Sequence, residues 1–252
     1  IREEFGDWVI DRFVGDYMDG RTPNPCVLCN THIKWAALLK RADNLGCDFI
    51  ATGHYARVRE ENGRHIISRG LDPKKDQSYA LWGVAQKHLE RTIFPLGGYS
   101  KPEIRQIAED HGLLNVANKP DSYEICFVPD DDYRRFLKDK VPGLEEKMKG
   151  GKFVDKDGNI LGEHEGYPFY TIGQRRGLNL PMGKPVYVTN INAITNTITI
   201  GEKEDLISST LTAKEINLVK YDRIPETEME ITGAIRYNDD GAMGYLTQLG
   251  ED

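Results

Sequence analysis

The stretch CDFIATGHY, residues 47–55, decides the fold. Phe49 to Thr52 predicts a short buried strand, and Gly53 with His54 predicts a turn at its end. A strand running into a glycine turn is where open α/β sheets place their ligands. Upstream, Phe5, Val9 and Phe13 repeat at a spacing of four beside Trp8 and Tyr17, which predicts a helix over 1–19 closed by Gly20. Pro23 and Pro25 predict an irregular loop, followed by a second helix over about 31–44 with Gly46 as its terminator. Downstream, strands at about 55–60 and 64–69 flank the turn ENG. Ser100 and Glu103 form a capping box for a helix at about 101–111. Helices and strands alternate to about residue 133, the pattern of an α/β domain.

Beyond a short helix near 131–138 the pattern becomes mostly β. Asp157-Gly158 and Asp240-Gly241 are hairpin signals, and VYVTNINAITNTITIGE, residues 186–202, alternates like a strand pair. These shifts divide the chain at 134 and 208 into segments 1–133, 134–208 and 209–252.

The composition bounds the function. The 252 residues are 39% hydrophobic and 29% charged, as in a soluble globular protein. No apolar run approaches the roughly 20 residues of a membrane span, so no membrane partner is expected. Charges occupy the first residues, where a signal peptide would carry an apolar run. The expected compartment is the cytoplasm. A net charge of −7 counts against a purely electrostatic nucleic-acid binder and leaves room for local basic patches. The opening at Ile1 inside a helical pattern, and the end after a β-like segment, lead us to expect a longer natural chain.

Four cysteines, at 26, 29, 47 and 126, stand in a chain expected to be reduced, which argues against a disulfide scaffold. Cys26 and Cys29 form the one C-x-x-C pair. Structural zinc lacks its second ligand pair, and a thioredoxin-like couple lacks the preceding strand. Cys47, at a helix-to-strand junction, is expected to be an inert core residue. Cys26 and Cys29 lie before the predicted second helix, where amides and dipole favour a reactive thiolate.

Five motifs then carry a resemblance: GRTPNPCVLCN, ATGHYARV, GLDPKKDQSY, KPDSYEICFVP and GYPFYTIGQRRGL, in this order. Together they resemble the tRNA-specific 2-thiouridylases, over essentially the whole chain. The resemblance implies a Rossmann-like α/β domain of the adenine nucleotide alpha-hydrolase type, a small mixed central domain and a C-terminal antiparallel β-barrel. It implies ATP, with Mg2+, adenylating the C2 oxygen of the wobble uridine of tRNA. Cys29 aligns with the nucleophile and Cys126 with the cysteine that carries a persulfide, loaded by a cysteine desulfurase or a relay protein. Gly53 aligns with a nucleotide contact. Asn24, Pro25 and Cys26 align with the segment around the target base, while His54, Lys75, Asp76, Gln77, Arg236 and Tyr237 align with tRNA contacts. Arg175 and Arg176 are further candidate phosphate contacts. An aromatic ring beside a guanidinium suits an unstacked base.

Two departures from the family pattern matter. The phosphate loop S-G-G-x-D-S does not occur in these residues, so the chain alone is not expected to hold ATP phosphates fully. Cys26 stands where many members carry an acid/base aspartate. Cys26, Cys29 and Cys126 therefore make a candidate ligand set for a 4Fe–4S cluster with one open iron, beside the persulfide route. The rival functions are a non-catalytic tRNA-binding module and another enzyme of the same pyrophosphatase fold, such as an amide ligase or another thiolase.

Overall fold

The computed structural model describes residues 1–119, 125–237 and 239–250. Part of the KPDSYEICFVP motif, residues 120–124, lies outside them. The chain divides into two compact units, one built from residues 26–121 and 213–252 and the other from 2–25 and 122–212.

The centre of the first unit is a parallel strand pair, Ile50–Ala51 beside Thr92–Ile93, in the register Ile50 to Thr92. A helix over 25–44 covers it, α-helical at both ends and π-helical over Cys29–Ala37. Its inward stripe is Trp35, Leu39 and Ala42, which pack with Ile50, Leu81, Val84 and Leu89. The Trp35 indole N–H donates to Thr92 Oγ1 at 2.7 Å, and that hydroxyl donates to the carbonyl of His88 at 2.7 Å. Both buried polar groups are thereby satisfied, which fixes the helix against the sheet.

Local signals place the elements around this core. Strands Ala56–Glu61 and Arg64–Arg69 pair across Asn62 and Gly63, whose φ of +53° and +72° suit a tight hairpin turn. The helix Lys101–Asp110 begins where the Ser100 N–H donates to the Glu103 carboxylate at 2.7 Å, and Gly112 turns the chain away at φ +73°. The segment near 217–222 is bound along the hairpin: Arg64 donates to the carbonyls of Leu218 and Val219, and Gln86 Nε2 to that of Val219 at 2.6 Å.

Two expectations need correction here. Cys47 and Phe49 are exposed rather than buried, because the helix stops at Gly46 (φ +68°) and residues 47–49 cross the surface before Ile50 enters the sheet. The second helix begins at Pro25 rather than near 31, since a first helical position has no intrahelical use for the N–H that proline lacks. In the C-terminal segment, Met229–Gly233 and Ala242–Leu246 form an antiparallel pair around Gly241, and among the described residues no strands close a barrel.

The second unit begins with residues 2–18, helical throughout with a π-helical stretch over Gly6–Asp11. Phe13 and Tyr17 face inward; Tyr17 stacks on Tyr133 at 4.9 Å, and Phe13 meets Phe127 edge-on at 5.2 Å. Four strands form one sheet in the order Ile160–His164, Gly151–Val154, Thr197–Gly201, Tyr187–Asn192. Its central pair is parallel and the outer pairs are antiparallel. Phe153, Val188 and Ile198 line the core face with Phe169 and Leu137. Among the described residues, no helix is long and apolar enough to cross a membrane.

Gly151 is the tightest point of this unit. A Cβ there would lie 2.2 Å from Cε1 of His164 and 2.9 Å from Oδ1 of Asn196. The His164 ring cannot yield, because it is 7% exposed, packs on Phe153 at 4.9 Å and accepts the Gly166 N–H at Nδ1. Gly151→Ala is therefore expected to cost roughly 1–3 kcal/mol of stability, the usual penalty for overpacking. A denaturant midpoint equal to that of the parent protein would contradict this packing.

Candidate functional site

The two neighbouring thiols sit on the first turns of the helix that opens at Pro25. Cys26 is exposed and Cys29 half-buried, and a spacing of three puts them on one face. Asn24 is exposed just before the helix, and Pro25 is buried. The following residue, Asn30, is 2% exposed and donates from Nδ2 to the carbonyl of Ala80 at 2.8 Å. Thr31 donates its hydroxyl to the carbonyl of Val27, and a Cβ on Gly83 would lie 2.2 Å from that hydroxyl oxygen. The cysteine-bearing turn is thus seated directly on the backbone of residues 80–83, where only glycine leaves room at 83.

The turn at the end of the first strand is built around His54. The ring is 8% exposed and lies beside Trp35, at 5.5 Å between centroids, and Phe94, at 6.1 Å. Burial, reinforced by the Lys34 ammonium, pushes its pKa down from 6.5 to about 4. A neutral ring assigns the tautomer: Nε2 accepts from Lys34 Nζ at 3.3 Å, and Nδ1–H donates to Thr52 Oγ1 at 2.8 Å. The imidazole is therefore an internal brace, and Lys34 is the charge it presents. Gly53 itself is exposed, and a Cβ there would meet only Leu96 at an ordinary 3.7 Å. Packing does not demand glycine at 53.

Loop 72–78 is braced in the same way. Asp76 accepts the Gly70 N–H at 2.8 Å and the Ser78 hydroxyl at 2.7 Å. Gln77 exchanges bonds with Tyr55: its Oε1 accepts the Tyr55 N–H at 3.0 Å, and its own N–H donates to the Tyr55 carbonyl at 2.9 Å. Lys75 is half-buried in the loop. The loop forms one wall of a cleft of about 950 Å³, and residues 234–237 with 239 and 240 form another. Asp76, Arg236 and Tyr237, far apart in sequence, line this one cleft. The Tyr79 hydroxyl ties the walls together by donating to the carbonyl of Ile235 at 3.0 Å. Sequence reasoning missed four further lining residues, Arg69, Lys74, Tyr79 and Trp82. An exposed aromatic close behind a Lys-Lys pair was the available signal.

Cys126 and Arg175 are exposed residues of the second unit, whereas Cys26 and Cys29 belong to the first. Among the described residues, no group of three or more His, Cys, Asp or Glu side chains is arranged to hold a metal ion.

The His54 geometry sets a pH dependence. Its folded pKa lies below the unfolded one, so the unfolded chain binds more protons between pH 6.5 and 4. Its contribution is complete above about pH 6.5 and is lost as the pH falls through that window, to an extent of about 3 kcal/mol. In urea titrations from pH 7 to 4, His54→Gln is expected to lose correspondingly less stability than the parent; identical pH profiles would contradict the assignment.

Comparison with known proteins fits this geometry. Residues 1–130 match the family model described as the tRNA methyl transferase HUP domain, and residues 134–202 match that of the tRNA methyl transferase PRC-barrel domain. The first match assigns the parallel strand pair and its helix to a Rossmann-like domain. The tRNA-specific 2-thiouridylase MnmA of Salinibacter ruber is 66% identical, over 100% of this chain and 66% of its own length. Its namesakes from Cytophaga hutchinsonii and Amoebophilus asiaticus are each 55% identical over 100% of the chain, covering 68% and 67% of their own lengths. The chain spans about two thirds of the length of the curated relatives it matches. Identity at this level over every part of the chain bears out the resemblance carried by the five motifs, and the chain belongs to the tRNA-specific 2-thiouridylase family of tRNA sulfurtransferases.

Proposed function

We propose that this protein catalyses ATP-dependent 2-thiolation of the wobble uridine of tRNA. The observation that carries the reading is 66% identity, across the whole chain, to a protein named a tRNA-specific 2-thiouridylase. The cleft supports it independently, since it combines cations with exposed aromatic rings, the chemistry of an RNA surface. The uridine C2 oxygen would attack the α-phosphorus of ATP and displace pyrophosphate, with Mg2+ neutralising phosphate charge, so that AMP becomes the later leaving group. The exposed Gly53, whose missing side chain no packing requires, supports a close nucleotide approach at the strand end.

The terminal sulfur of a persulfide on Cys126, loaded by a cysteine desulfurase or a relay protein, attacks C2 and displaces AMP. The Cys29 thiolate then attacks the Cys126 sulfur, which breaks the S–S bond and leaves sulfur on C2. In the alternative order Cys29 attacks first and releases hydrosulfide, which adds to C2. Both orders end in a Cys29–Cys126 disulfide, and an external dithiol must reduce it by two electrons. The chemistry requires these thiols to meet during turnover. Asn24, Pro25 and Cys26 are proposed to surround the target base, with His54, Lys75, Asp76, Gln77, Arg236 and Tyr237 holding the tRNA. For His54, burial favours a bracing role behind that surface, and for the exposed Gln77 its paired bonds to the Tyr55 backbone favour the same. The proposed compartment is the cytoplasm, and closure of the C-terminal strands into a barrel remains part of the proposed fold.

A second reading rests on the exposed Cys26 thiol, one helical turn from Cys29. There Cys26, Cys29 and Cys126 would hold a 4Fe–4S cluster. The described residues provide no three-ligand grouping for it, and no step is routed through it.

The matching family models are named for methyl transfer, so the test must read the product. Nucleoside mass spectrometry after incubation with tRNA, ATP, Mg2+ and a persulfide donor is expected to show 2-thiouridine. Cys29→Ser and Cys126→Ser are each expected to lower it on the order of 10³-fold or more, whereas Cys47→Ser leaves it unchanged. Full activity in Cys126→Ser, or a methylated product, would overturn the proposal. Undiminished thiolation by Cys26→Ala, with no iron bound after anaerobic reconstitution, would remove the second reading.

A further inference from the structure

We infer that the cleft of the first unit holds one unstacked RNA base on the face of Trp82, with Arg69 and Lys74 on the flanking phosphates. This rests on the reading of tRNA as substrate and specifies what part of it the cleft takes.

The platform is built rather than incidental. Trp82 is 50% exposed, although tryptophan is among the residues that gain most from burial. Its backbone is nonetheless fixed: Asn217 Nδ2 donates to the carbonyls of Trp82, at 2.6 Å, and Val84, at 3.1 Å. On either side, Leu81 and Val84 are fully buried. An aromatic face on an immobile backbone and open to solvent costs little ordering when a ring stacks on it. Tyr237, 55% exposed and edge-on to Tyr79 at 6.3 Å, gives the same cleft a second ring.

The charge of the cleft selects a polyanion. Its described lining carries four cationic side chains, Arg69, Lys74, Arg236 and Lys220, the last facing Glu61 at 3.5 Å, against three carboxylates. Two of those carboxylates serve the chain's own donors. Asp76 accepts from Gly70 and Ser78, and Asp239 accepts the Ile235 N–H at 2.9 Å and the Gly241 N–H at 3.0 Å. Cations with aromatic faces in one groove suit single-stranded nucleic acid, because bases already stacked in a duplex offer no face. A-form RNA also hides its base edges in a deep major groove.

The test compares two RNAs of equal charge, an anticodon stem-loop and a blunt duplex of the same nucleotide number, titrated against the full chain. Trp82→Ala is expected to weaken stem-loop binding about ten-fold and leave duplex binding unchanged, and Trp82→Phe restores most of it. Lys74→Ala is expected to weaken both RNAs and to lower the salt dependence by about one released ion. If Trp82→Ala affects neither RNA, or both equally, the base platform is wrong while the tRNA reading stands. If the parent protein binds neither RNA, both fall.

Discussion

The hydrogen bond from Asn30 to the carbonyl of Ala80 joins the two halves of the first unit's chemistry. On one side is the helix turn that carries Cys26 and Cys29; on the other is the turn 78–83, whose outward residues Ser78, Tyr79 and Trp82 line the cleft. A buried amide is costly unless paired, and here Asn30 Nδ2 has its acceptor while Oδ1 has no partner among the described residues. Gly83 tightens the same junction by admitting the Thr31 hydroxyl where any side chain would stand. Thiols and cleft are therefore held as one piece, the arrangement an RNA-modifying site needs if binding is to position the reacting base.

The same logic explains why several residues aligned with tRNA contacts bond to the chain itself. His54, Asp76 and Gln77 spend their polar atoms on Thr52, Gly70, Ser78 and Tyr55. Their effect at the surface is indirect: His54 holds the helix-borne Lys34, while Asp76 and Gln77 fix the loop that carries Lys74 and leads to Trp82. Functional sites held to a fraction of an ångström generally need such bracing behind the contacting groups.

Elements specified by neighbouring residues were legible in the sequence. The Asn62-Gly63 turn, the Asp157-Gly158 turn and the Ser100–Glu103 cap each rest on chemistry within a few positions, and the strands and helix they bound formed where expected. What depended on tertiary context was not legible. Cys47 and Phe49 were assigned to the core from a local apolar pattern, but the exit angle at Gly46 carries them across the surface. Pro25 was read as a breaker, although the same ring is tolerated at the start of a helix. The cleft was invisible because its walls, 66–82 and 219–240, lie more than a hundred positions apart and meet through Arg64, Gln86 and Asn217. Cys126 was legible only through its motif, since nothing local distinguishes its thiol from that of Cys47.

The central claim is a sulfur relay that ends with Cys29 bonded to Cys126. Its most direct test is a single turnover with persulfide-loaded protein, quenched in acid with an alkylating agent and mapped by peptide mass spectrometry without reduction. The account predicts one Cys29–Cys126 disulfide for each 2-thiouridine formed. Thiolated tRNA accumulating while both cysteines are recovered separately alkylated would contradict it.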